Sequence, residues 1–72
     1  MNLIQIFAQN LRDIYKAKHK ADKKYNVHVL AKNVGVSVQA ISYWMNGHRF
    51  PTDTNIDRLA EALGVDVREF FR

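Results

Sequence analysis

The side chains best suited to acid–base or metal chemistry are His19, His28 and His48, together with the carboxylates Asp53 and Asp57. A metal site on helices needs ligands three or four residues apart, converging on one face. The three histidines fall on separate predicted elements, and none pairs at that spacing with another potential ligand cluster. Asp53 and Asp57 share a helix face but have no neighbouring His or Lys to tune them, so they read as solvated surface charge. The chain has no Cys, which removes both thiolate zinc sites and disulfides and suits a reducing compartment. Gly35, Gly47 and Gly64 stand singly, so there is no glycine-rich phosphate loop. These features predict a non-enzymatic protein with no metal, no cofactor and no small-molecule substrate.

Binding remains, and charge is its first clue. The chain has 72 residues and a formal net charge of +4. Met1 to Lys24 carry six Lys or Arg against two Asp, whereas Thr52 to Arg72 carry three Arg against five acids. A basic balance favours phosphate backbones or acidic protein surfaces without choosing between them. Residues 35–47, "GVSVQAISYWMNG", contain no Lys, Arg, Asp or Glu at all.

The elements that position these groups are helical. Apolar residues make up 47% of the sequence, with only three Gly and one Pro, which argues for an all-α domain spanning 1–72. Ile4, Phe7, Ala8, Leu11, Ile14, Tyr15 and Lys18 recur at steps of three and four and predict a helix from about Leu3 to Lys20. Asn26 caps a second helix, Val27 to Val34, with Leu30, Ala31 and Val34 inward. Gly35 turns the chain, and Ser37 caps a third helix, Val38 to Asn46. Ile41 and Trp44 point inward there, with Ala40 or Met45 at the margin. The outward set is Val38, Gln39, Ser42, Tyr43 and Asn46. Pro51 and Thr52 open a fourth helix with Ile56, Leu59, Ala60 and Leu63 inside. After Gly64, Asp66 and Glu69 predict a capping-box start to a fifth helix carrying Val67, Phe70 and Phe71. The last two either seal the core or mediate dimerisation.

Leu30, Ala31, Gly35, Ser37, Ile41 and Trp44, followed by Gly47 and Pro51 and then by Leu59, Ala60, Leu63 and Gly64, resemble the helix-turn-helix of Cro and repressor-type regulators. About fifty residues carry the likeness, with the helix-turn-helix proper at about 27–46. It implies a compact five-helix Cro/repressor-like domain, whose second helix lies over the phosphate backbone and whose third enters the major groove. On this chain the implied base readers are Gln39, Ser42 and Tyr43, since an amide can pair twice with adenine and a hydroxyl can serve either base type. Asn46, His48 and Arg49 are the implied phosphate contacts nearby. Lys16, Lys20, Lys23 and Lys24 are further candidates, provided that they face the side of the recognition helix. The family often places Gln at the starts of helices two and three, where the amide touches the backbone. Here those positions are Val27 and Val38.

Val27, Val38, Tyr43 and Met45, rimmed by Gln39, Ser42, Asn46, His48 and Arg49, have the composition of a protein interface, whose cores are rich in aromatics and Met and poor in charge. Their convergence on one face is the expectation. The chain also resembles the small modulator-of-repression antirepressors of temperate lactococcal phages. That resemblance implies a regulator of a lysis/lysogeny switch that binds the phage's lysogenic repressor and alters its hold on DNA. The alternative is a Cro-like repressor that reads duplex DNA directly. Neither an export signal nor a membrane span is evident in "MNLIQIFAQNLRDIYKAKHK", so the expected location is the cytoplasm of the bacterial host.

Overall fold

Each helix begins where a short polar side chain accepts the backbone N–H groups that a first turn leaves free. Asn2 accepts from Gln5 N at 2.9 Å, and Gln5 answers by accepting the Asn2 N–H at 3.3 Å, a reciprocal cap. Asn26 accepts from His28 and Val29, Ser37 from Ala40, and Thr52 from Asn55. The computed structural model describes residues 2–72. These residues form α1 (Leu3–Ala21), α2 (Val27–Val34), α3 (Val38–Met45), α4 (Asp53–Leu63) and a C-terminal 3₁₀ turn (Val67–Phe71), with no strand among them.

Three expectations need correction. The fifth element is a 3₁₀ turn, not an α-helix. Five residues are too few to gain much from i→i+4 bonding, so the Glu69 N–H bonds to the Asp66 carbonyl three residues back. The expected capping box does not form either. Asp66 accepts from Arg68 N at 2.9 Å, while the Glu69 carboxylate lies 2.7 Å from the Arg72 guanidinium. The Arg68 side chain also bonds Asp66 and holds its carboxyl below the usual range. α3 ends at Met45, one residue early, because Asn46 turns out of the helix and gives its N–H and side-chain amide back to Ser42.

The core draws on every element. Phe7, Leu11, Leu30, Ile41, Leu59 and Phe70 are fully buried. Phe70 therefore seals the core, with its ring 5.1 Å from that of Phe7, and is excluded as a dimerisation residue; Phe71 stays exposed. α1 lies across the bundle, against α3 and the 3₁₀ turn, while α2 packs between α3 and α4. Polar ties fix these contacts. The Asn10 amide donates to the carbonyls of Phe70 (2.9 Å) and Arg72 (3.0 Å), and the Arg12 guanidinium donates to the Met45 carbonyl at the end of α3. The Tyr25 hydroxyl donates to the Ala62 carbonyl at 3.1 Å, and burial raises its pKa, which keeps it a donor.

Leu59, on α4, touches water nowhere and belongs to the central core cluster. Leu59→Ala is expected to lower stability by about 2–5 kcal/mol, since a cavity is left where the surrounding helices cannot fully collapse. Urea unfolding followed by far-UV circular dichroism should show an earlier midpoint with an unchanged slope.

Candidate functional site

Asn26 and Ser37 cap α2 and α3, so Val27 and Val38 are the first residues of their helices. Gly35 makes the turn between them with φ +88°, the left-handed region that a side chain would strain. That turn brings the two valines to the same groove, with Met45 beside them. The groove has a volume of about 360 Å³; Ser42 joins it from α3, Asn46 from the cap that follows, and Arg12, Tyr15 and Lys16 from α1. Both valines and Met45 are half-buried against the core, leaving part of each open to a partner. Arg12 spans the arrangement, bonding Gln9 at 2.6 Å and the Met45 carbonyl through its other nitrogen. It thereby fixes the end of α3 against α1.

A second groove of about 370 Å³ runs along the other flank of α3, and Gln39, Tyr43, Arg49 and Asn55 line it. Tyr43 organises this side. Gln39 Nε2 donates to the Tyr43 hydroxyl at 2.9 Å, the Arg49 guanidinium lies 5.3 Å from the ring centroid, and His48 meets the ring edge-on at 6.1 Å. A guanidinium over an aromatic face is held by the ring's quadrupole. Arg49 is thus exposed yet ordered, suited to a phosphate or carboxylate.

The expected single contact face is therefore two. Val38, Ser42 and Met45 recur at steps of four and three and share one stripe; Gln39 and Tyr43 form the next, rotated by about 100° per residue. Val27, Val38, Ser42, Met45 and Asn46 meet in the first groove, whereas Gln39, Tyr43 and Arg49 belong to the second. Of the lysines considered as phosphate contacts, Lys16 lines the first groove. Lys20, Lys23 and Lys24 are exposed at the end of α1 and in the following turn, where Asp22 accepts the Lys24 N–H at 3.1 Å.

Arg12, Tyr15 and Asn55 were absent from the expected site. The first two carried a readable signal: with Lys16 they sit three and four residues apart on the half-buried margin of α1. His19 is structural, donating from Nδ1 to the Tyr25 carbonyl at 2.7 Å and stacking on Tyr15 at 5.9 Å. Among the described residues no group of three His, Asp or Glu side chains gathers as metal ligands, and no helix is long and apolar enough to cross a membrane.

Comparison with known proteins places this geometry. No curated protein matches the chain. Among solved structures, the restriction-modification controller protein C.AhdI from Aeromonas hydrophila is similar, at 29% identity and a TM-score of 0.82, over 94% of this chain and 96% of that one. Residues 20–70 match the helix-turn-helix family model HTH_3. With a capped α2, a glycine turn and a capped α3 inside the matched span, the chain belongs to the helix-turn-helix family of DNA-binding transcription regulators.

Proposed function

We propose that this regulator acts as an antirepressor, docking the lysogenic repressor of a temperate phage through the groove of Val27 and Val38 and altering the repressor's hold on its operator. The observation that carries the reading is the joining of those two valines, with Met45, in one apolar-floored groove at the helix starts. In a duplex complex the first residues of the two helices face backbone and base edges, where polar groups are needed. Two valines there forfeit hydrogen bonds and leave apolar surface against a hydrated, charged partner. Against another protein the same surface is an asset, because desolvated interface cores are apolar with polar margins. Ser42 and Asn46 supply such margins, and Arg12 and Lys16 supply charge. The likeness to phage antirepressors supports a repressor as the partner, and with it a site of action in the bacterial cytoplasm.

A second reading, direct operator recognition, is favoured by the other flank of α3. There Gln39 and Tyr43 stand ready for bases, and Arg49, steadied by the Tyr43 ring, for a phosphate. Gln39 gives one of its two amide N–H donors to Tyr43, which leaves the other N–H and the carbonyl oxygen for a base.

The two readings separate in two measurements. In calorimetric titration with the repressor, Val38→Glu should weaken binding by about 30-fold or more, since a carboxylate would be desolvated without a partner. Tyr43→Ala, on the other flank, should change it by less than about threefold. Unaltered binding by Val38→Glu would remove the groove from the interface. The complementary test is fluorescence titration of a labelled switch-region duplex at low and physiological salt. The free protein should bind weakly, with a steep salt dependence and little preference over random duplex. Tight, sequence-selective binding would make it an operator reader and shift the weight to Gln39, Tyr43 and Arg49.

A further inference from the structure

Leu3, Phe50 and Phe71 are the large apolar residues that the described chain leaves exposed, and all three line one further groove, of about 370 Å³. It lies between the start of α1, the start of α4 and the 3₁₀ turn, with Ile56 and Val67 also in its wall. The aromatic part is a continuous cluster. Phe50 and Phe71 stand 6.4 Å apart and both pack on buried Phe7, at 5.2 and 5.7 Å. Isolated exposed apolar residues are ordinary, but two phenylalanines joined through one core ring, with Leu3 in the same groove, make a patch of the kind that partners cover.

The charge at this patch indicates what covers it. Asp53 and Asp57, one turn apart on α4, line the groove, and no Lys or Arg does. Among the described residues neither carboxylate takes part in an ion pair. Nucleic acid and anionic lipid surfaces are repelled here. A second copy is disfavoured as well, because a two-fold pairing of this patch would bring both pairs of carboxylates into one interface, with no Lys or Arg lining the groove to offset them. The groove of Val27 and Val38 has the opposite rim, Arg12 and Lys16. Leu3 and Lys16 are thirteen positions apart on α1, roughly 20 Å at 1.5 Å per residue, so both grooves can be filled at once.

We propose that the Leu3–Phe50–Phe71 groove is a second protein-docking site, which takes a basic amphipathic segment of a partner: large apolar side chains on the aromatic floor and Lys or Arg against Asp53 and Asp57. The proposal does not rest on the antirepressor reading, since it uses different residues at the other end of α1.

The test uses the full chain, labelled with ¹⁵N, and an amphipathic Leu/Lys peptide with apolar residues at three- and four-residue spacing. Amide shifts on titration should cluster around Leu3, Asp53, Asp57 and Phe71 and spare Val27 and Val38. Asp53→Asn with Asp57→Asn should weaken the peptide about tenfold. Leu3→Ser, at an exposed position that leaves the core intact, should weaken it through lost apolar contact. The charge-swapped pair, Asp53→Lys with Asp57→Lys, should instead accept a Leu/Glu peptide at this groove. Shifts centred on Val27 and Val38, affinity indifferent to the Asn pair, or no binding at all would each overturn the proposal. So would a concentration-dependent dimer in sedimentation that Leu3→Ser abolishes, because the occupant would then be a second copy.

Discussion

The left-handed turn at Gly35 governs everything that the helix-turn-helix presents. It reverses the chain within three residues between Val34 and Val38, so the starts of α2 and α3 come to lie side by side. A residue with a Cβ would be strained there, and any relaxation of that strain would rotate α3. The remaining ties work with this turn. Asn26 and Ser37 set where the two helices begin, and Arg12 anchors the far end of α3 to α1. α3 is thus fixed at both ends, with two flanks of different character exposed.

That difference in character explains the neutral recognition helix. One flank is apolar because it carries Val38 and Met45, and α1 supplies the nearby charge from Arg12 and Lys16. The other is mixed, with Gln39 and Tyr43 beside Trp44 and Phe50, and its charge comes from Arg49 in the loop that follows. The helix itself needs no ionic side chain when both neighbours provide them. Of these charges, Lys16 and Arg49 can be changed without releasing the end of α3, whereas Arg12 also holds the Met45 carbonyl.

The fold was largely legible because each boundary has a local cause. Asn26, Ser37, Thr52, Gly35 and Gly64 stop or start helices by mechanisms that act within a few residues, and the inward stripes follow from a 3.6-residue period. The last element was harder, since five residues after Gly64 carry too little periodicity to distinguish a 3₁₀ turn from a helix. The site was legible in part. Val27 and Val38 stood out as apolar residues at outward helix starts, and they do meet. That Tyr43 parts from them depends on a rotation of about 100° between adjacent stripes, which only a packed α3 decides. The spacing of Arg12, Tyr15 and Lys16 on the margin of α1 was readable, but the bond from Arg12 to the backbone of residue 45 is a contact that no local pattern announces.

The joining of Phe7 and Asn10 to Phe70 and Arg72 has a consequence for synthesis. These partners are some sixty residues apart in sequence, and Phe70 is fully buried in the core that they close. While the ribosome still holds residue 70, α2 and α3 can form a turn but have no completed bundle to rest on. Local contacts allow fast folding once the chain is free, as is usual for small helical domains. Gly35 can shape the turn early, but the face that α2 and α3 present becomes a rigid object only after translation has passed Phe70, so a nascent copy lacks the surface of a finished one.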